Sequence, residues 1–514
     1  MRGVFPRFVL ALLLLAVPFL VVPAGAQRAG GPLIVAQGVD AVTLDSHLVV
    51  DAPTFTVTSH IYETLFEYTP DGRIVPHLAE SHTVAPDGRV WTLKLRRGVK
   101  FHDGTPLDAE AVKFNLDRVL HPETKSTYRF LISRVTGIEV VDPLSVKLTT
   151  EQPFAPMLAH LTHGAIAMQS PSAIKKHGKD YINFPTGTGP FKFKEWVRGD
   201  RLVLTANPDY WGKKPQVTEV VFKPVPEGGA RVALIETGAA HVIVRVPPRD
   251  APRLAGSRDV EVVNTPSVRT IYIAFNMLKP PFTDLKVRQA LNHAVNKPAI
   301  VQHILAGVGR PSDAPISPGI FGYRRIMSYE YDTAKAKRLL AEAGHPNGFK
   351  TELYCPSGRY LNDMQVCEAV QAQLREVGVD AAIKTLEWAA YLEITKKGPQ
   401  ESVVPMYMLG WGTVTGDADY GLYALFHSSQ WTPAGQARHF YKNPKVDELL
   451  DRGRNVANPA QREAAYKEAM ELIMQDASWL FLHAESQLSA VRRNVKGVVI
   501  HPIERVMTQE ARIE

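Results

Sequence analysis

Residues 91–119, WTLKLRRGVKFHDGTPLDAEAVKFNLDRV, constrain the fold of this chain more tightly than any other stretch. Trp91, Leu93 and Leu95 alternate with Thr92, Lys94 and Arg96, the period of a half-buried strand. Gly98 breaks the pattern. His102-Asp103-Gly104-Thr105-Pro106 then supplies a tight turn, with Asp and Gly for turn geometry and Pro to fix φ. From Asp108 the spacing becomes helical: Val112, Leu116 and Val119 form one stripe, Lys113, Asp117 and Arg118 lie off it, and Asp108 is placed to cap the first turn. The unit is strand, turn, helix.

The alternation continues along the chain. PLIVA at 32–36 reads as a first strand, and 58–68, ending in YETLFEY, as a helix. A hairpin is expected over 135–149, turned at Asp142-Pro143, then a short helix over 170–181 and a glycine-rich crossing loop over 187–191. Strands follow at 201–205 and 219–224, and a helix over 231–237 stops at Gly238. Beyond 265 come an apolar strand at 271–276, helices starting at Asp284 and Asp332, a helix over 362–377, strands at 379–386 and 406–410, and a late helix over 461–475. Alternation of this kind predicts an α/β sheet, and 514 residues are too many for one ordinary core, so two or more lobes are expected.

Hydrophobic residues make up 45% of the chain and charged residues 22%, a globular balance. The formal charge of +7 is spread over interspersed Lys, Arg, Asp and Glu, with no basic run of the kind a nucleic-acid groove needs. Residues 1–26 read as a secretory leader: Arg2 and Arg7, an apolar run over 8–22, and Ala24-Gly25-Ala26 for cleavage. Cleavage would leave Gln27 first, with no cysteine nearby to carry a lipid, and no later segment is apolar enough to span a bilayer. An exported protein of the bacterial periplasm is the expectation. The two cysteines, Cys355 and Cys367, fit either a bridge in an oxidising compartment or two free buried thiols. No nucleophile elbow, zinc-protease helix, phosphate loop or dinucleotide fingerprint occurs, so no enzyme, cofactor or metal site is expected. The seventeen histidines are dispersed, and His427 and His439 near Trp431 lack ligand spacing.

Several segments carry a family likeness. The 91–119 stretch, Tyr62-Glu63-Thr64-Leu65-Phe66, Gly187-Thr188-Gly189-Pro190-Phe191, Asn207-Pro208-Asp209-Tyr210-Trp211-Gly212, Val287-Arg288-Gln289-Ala290-Leu291-Asn292, KAKRLLAEAGHPNGF and YKNPKVDELL occur in one order and spacing. In these the chain resembles extracellular solute-binding protein family 5, the substrate-binding proteins of peptide-, glutathione- and nickel-type ABC importers. Residues 410–426 and Ala477-Ser478-Trp479 look closest to the glutathione-binding branch, and 358–363 to general peptide binders. The resemblance implies an α/β, two-lobed periplasmic-binding-protein (Venus-flytrap) fold with mixed sheets, flanking helices and a ligand cleft between the lobes. Lobe I would hold 27–265 and the tail 490–514, and lobe II 266–489.

Capture by closure needs aromatic walls and one or two fixed charges. Arg359 follows a strand in a Gly-rich loop, and peptide-binding relatives carry an arginine hereabouts that grips the ligand carboxylate. The guanidinium suits that task because it is planar, charged and bidentate. Its removal is expected to weaken binding while leaving the melting temperature nearly unchanged. Trp411 is a candidate stacking surface, or a core tryptophan. In dipeptide-binding relatives an aspartate three residues later holds the ligand ammonium; here that position is Val414, and Asp417 and Asp419 either take over the amine or cap a helix. Tyr62, Arg129, Trp388 and Tyr391 complete the candidate ligand-binding set, and Gly187 and Gly189 are assigned to the crossing loop for unusual φ values.

The resemblance implies a monomeric periplasmic component of an ABC importer. It would capture a peptide or peptide-like small solute by inter-lobe closure and deliver it to the permease and ATPase subunits at the inner membrane. A non-peptide solute such as a metal chelate or opine, or a ligand-loaded signalling adaptor, is the alternative, and a hydrolase a more distant one.

Overall fold

A computed structural model describes residues 31–514; the leader expected at 1–26 lies outside them. The opening unit folds as its pattern dictates. Val90–Leu95 is a strand with alternate residues buried, and Ala109–Leu120 is a helix whose Asp108 side chain accepts from the Ala111 N–H at 2.9 Å. That strand, β3, belongs to a four-stranded antiparallel sheet in the order β2-β3-β5-β4, with β2 Ala79–Val84, β4 Val135–Asp142 and β5 Ser145–Thr150.

The main sheet has eleven strands. One wing contains β1 Leu33–Gln37, β6 Phe191–Val197, β7 Arg201–Ala206, β8 Glu219–Pro224 and β9 Val242–Val244. The other contains β11 Phe349–Pro356, β12 Val379–Leu386 and β13 Met406–Gly412. Two long antiparallel strands join the wings: β10, Val260–Phe275, and β14, Trp479–Arg492. The order is β12-β11-β13-β10-β14-β9-β1-β8-β7-β6, with Arg310–Pro311 paired to β14 off this path. Only residues 269–275 of β10 pair with β13, and only 489–491 of β14 pair with β9. Between those zones the β10–β14 register shifts at Pro266/Thr270, where a proline interrupts the ladder.

Each wing has its own core. Leu33, Val35, Phe191, Leu204 and Phe222 pack under the first, and Ile271, Phe275, Leu291, Leu353, Val370 and Leu374 under the second. The helix Asp363–Glu376 covers the second wing, and a disulfide ties its Cys367 to Cys355 at the end of β11, so the bridged reading holds. No helix among the described residues is long and apolar enough to cross a membrane.

Two local expectations need correction. Residues 58–68 are not a helix: α1 is Ala52–Thr58, with Pro53 in its first turn, and Phe66–Tyr68 is a short strand. Pro53 fits the helix start, and the aromatic residues of Phe66–Tyr68 suit a pleated, half-buried surface. The loop at 187–191 does not cross between wings. Gly189 N donates to the Ile61 carbonyl at 2.9 Å, and a Cβ on Gly187 would lie 2.0 Å from the Ile61 oxygen. A Cβ on Gly189 would lie 2.5 Å from the His60 oxygen, and neither glycine has positive φ. Both glycines serve a close backbone approach, and the long strands β10 and β14 make the crossing.

Candidate functional site

Between the wings lies a cavity lined by residues of both. One side comes from Val50, Asp51, Ala52, Phe55, Tyr128, His163, Ile503 and Arg505. The other comes from Arg269, Tyr360, Trp388, Leu409–Gly412, Val414, Tyr420 and Arg438. Arg359 lines it from the β11 side. The local chain explains that placement. Gly358 has φ +76°, a turn geometry glycine permits, and the Asp363 carboxylate gathers the Gly358, Arg359 and Tyr360 N–H groups at 3.2, 2.8 and 3.0 Å. The Arg359 guanidinium is 2% exposed and sits 4.6 Å from the Tyr360 ring and 5.4 Å from Trp388. Its Nη2 reaches Glu504 at 3.4 Å, while Nε and Nη1 have no hydrogen-bond partner.

Behind it is a charge network at the crossing strands. Arg269 on β10 donates to Glu504, lies 3.7 Å from Glu485 on β14, and gives a hydrogen bond of 2.5 Å to the Gly410 carbonyl. Arg245 adds a contact of 3.3 Å to Glu504. Burial opposes charge on Glu504, but Arg269, Arg245 and Arg359 outweigh it and hold its pKa below the ordinary range. Glu485 is pushed up to about 7, by burial first and by the charge of Glu504 as well.

The walls are aromatic. Trp411 stacks on Tyr420 with centroids 5.1 Å apart, and Tyr420 faces Tyr128 at 6.3 Å and 9°. Polar contacts already bridge the cavity: Trp388 Nε1 to Asp51 Oδ2 at 3.1 Å, His163 Nε2 to the Tyr420 hydroxyl at 3.0 Å, and Gln436 Nε2 to Thr127 Oγ1 at 2.6 Å. Burial lowers the His163 pKa well below the usual value, so this imidazole is neutral. Four arginines and one aspartate line the cavity, an excess that favours an anionic solute.

The structure therefore brings Arg359, Trp411, Val414 and Trp388 to one cavity. The other candidates lie elsewhere. Asp417 caps the helix Ala418–Phe426 and pairs with Arg462 at 2.8 Å. Asp419 is fully buried between His160 and Arg454, each 3.1 Å away. Tyr62 donates to the Leu44 carbonyl at 2.8 Å and lines a neighbouring cavity, and Tyr391 donates to the Met408 carbonyl at 2.6 Å. Arg129 is exposed and outside the cavity, while its neighbour Tyr128 is in the wall. Sequence reasoning missed Asp51, Arg269, Arg438 and Arg505. Arg269 had a signal, a charge opening the apolar strand RTIYIAF, whereas the other three had none. No group of three or more His, Cys, Asp or Glu able to hold a metal occurs among the described residues.

Residues 73–433 match the family described as bacterial extracellular solute-binding proteins, family 5 Middle. The chain is 35% identical over 481 residues to the glutathione-binding protein GsiB of Escherichia coli K12, covering 93% of this chain and 94% of that protein. Among solved structures, it is similar to the periplasmic binding protein DppA of Helicobacter pylori in complex with the peptide STSA. There the TM-score is 0.86 and the identity 29%, over 94% of this chain and 99% of that one. It is also similar to AgaA from A. tumefacien R10 in complex with agropinic acid, with TM-score 0.85 and 28% identity over 94% and 99%. These neighbours share the two-lobed architecture expected from the sequence.

Proposed function

We propose, from the premise that the chain belongs to the bacterial extracellular solute-binding proteins of family 5, that it captures a peptide-like solute carrying at least one free carboxylate. One observation carries this reading: the buried Arg359 guanidinium presents Nε and Nη1 without partners at a cavity walled from both wings. A buried guanidinium left half-satisfied is costly, and a carboxylate supplies a charged acceptor for its unpartnered N–H groups. The aromatic walls take the apolar body of the solute. The GsiB relatives are glutathione-binding and the DppA relative holds a tetrapeptide, which supports a peptide-like cargo.

Lobe I comprises residues 27–265 and the tail 490–514, and lobe II residues 266–489; the register break at Pro266/Thr270 and the wing pairing of β10 and β14 support that division. The protein works as a monomer in the periplasm after loss of its leader. It hands its cargo, unaltered, to the permease and ATPase subunits of an ABC importer.

Native mass spectrometry of freshly purified protein, followed by calorimetry with glutathione, short peptides and an opine-type conjugate, tests the reading. A 1:1 complex with a peptide-like carboxylate solute, released without hydrolysis, is the expected result. Exclusive binding of a solute with no carboxylate overturns it, and release of a hydrolysis product overturns the carrier role.

A further inference from the structure

We propose that Asp51 is the acceptor for the solute's primary ammonium, supplied from the wall opposite Trp411. This rests on the peptide-like reading above and adds the second end of the ligand. Asp51 lines the cavity and is 5% exposed. Its Oδ2 accepts the Trp388 indole N–H at 3.1 Å, and its Oδ1 has no partner.

The position makes that orphan oxygen informative. Asp51 precedes α1 with extended backbone, φ −142° and ψ 150°, which is the N-cap geometry. An aspartate there ordinarily turns its carboxylate onto the first helical N–H groups. Asp51 makes no such side-chain cap, and only its carbonyl receives the Phe55 N–H, at 3.1 Å. The carboxylate lines the cavity, where a buried oxygen short of a donor costs stability until one arrives. Burial raises its pKa, and the Thr54 hydroxyl beside the carboxylate, then the charge of Arg359, oppose that shift.

The other acids near the cavity are already committed. Glu504 is held by Arg269, Arg245 and Arg359, and Glu485, whose Oε2 also lacks a hydrogen-bond partner, lies 3.7 Å from Arg269 and outside the cavity lining. Asp417 belongs to Arg462, and Asp419 to His160 and Arg454. Val414 offers the cavity an apolar side chain. Among the lining residues Asp51 is the one carboxylate, so a zwitterionic solute with its carboxylate on Arg359 has one place for its ammonium.

Calorimetric titration of the mature protein with glutathione and with N-acetyl-glutathione, which keeps both carboxylates and lacks the ammonium, tests this, with matched free and N-acetylated di- and tripeptides as further pairs. The wild type should prefer the free-ammonium member by about ten- to a hundredfold, the range of a charge-assisted hydrogen bond. Asp51→Asn keeps an oxygen for the Trp388 N–H and should reduce that preference to within about threefold while binding the N-acetylated member as the wild type does. Equal wild-type affinity for the two members of a pair overturns the assignment without any variant. A preference retained in Asp51→Asn, or an equal loss for both members, also overturns it. Failure of the wild type to bind any member of the panel overturns the peptide-like reading, and this inference with it.

Discussion

Gly38, just after β1, lies against Gly358, just after β11, and that contact between the wings has no room for a side chain. A Cβ on Gly38 would lie 1.9 Å from the Gly358 carbonyl oxygen and 3.0 Å from its carbon. An ordinary carbon–oxygen contact is about 3.3 Å, so the two backbones must separate by roughly 1.4 Å to admit one methyl group. Both near atoms are main chain, so no rotamer change relieves the clash. Gly38 does not have positive φ, so Gly38→Ala introduces no backbone strain of its own. Overpacking of this kind costs about 1–3 kcal/mol, and the cost falls on the closed form alone. Ligand that favours the closed form then binds about 5- to 150-fold more weakly, because part of its binding energy is spent against the wedge. Calorimetry for affinity and small-angle scattering for ligand-induced compaction measure the two effects, while the melting temperature of the ligand-free protein should stay at the wild-type value. Wild-type affinity with full compaction would refute the argument. So would a lowered ligand-free melting temperature with unchanged affinity, since the contact would then belong to the permanent frame.

Arg359→Gln should cost about 1.5–3 kcal/mol of binding to a carboxylate solute, read by calorimetry. It should also lower the melting temperature, contrary to the sequence expectation, because the side chain is 2% exposed and contacts Glu504, Tyr360 and Trp388. Glu485, with its pKa raised to about 7, adds stability that is complete below its unfolded value and disappears as pH rises through 7. Glu485→Gln should therefore melt like the wild type near pH 5 and above it near pH 8, and thermal melts across that range check the sign. Glu504 has the opposite dependence: its lowered pKa makes its contribution complete above the unfolded value and loses it as acid titrates the carboxylate, so Glu504→Gln should flatten the acid limb of the same profile. Removing the bridge with Cys355→Ala and Cys367→Ala, whose sequence separation is 12, should cost about 2–3 kcal/mol in denaturant unfolding.

Local structure was largely legible because it depends on neighbours in the chain. The Asp108 cap, the helix stop at Gly238, where φ is +79°, and the hairpin turned at Asp142-Pro143 lie where the pattern places them. The failure at 58–68 came from a short run whose apolar spacing fits a helix or a strand, and only the pairing of Phe66–Tyr68 with Ile74–Pro76 decides it. The crossing loop failed for a related reason: glycines signal a tight approach or unusual φ, but not which backbone they approach.

For the site, the sequence by itself determined the chemistry available: an arginine in a Gly-rich loop after a strand, tryptophans at strand and helix ends, and an apolar Val414. Tertiary structure decided which of those groups face one another. Arg269, Arg359, Arg438 and Arg505 converge on one cavity from four separate segments, while Asp417 and Asp419, a few residues from Trp411, are drawn away by Arg462, His160 and Arg454. The physical reason is that burial sets the cost of an unpaired charge. A carboxylate is free to meet a ligand only if no arginine elsewhere in the fold has met it first, and that pairing depends on the whole fold.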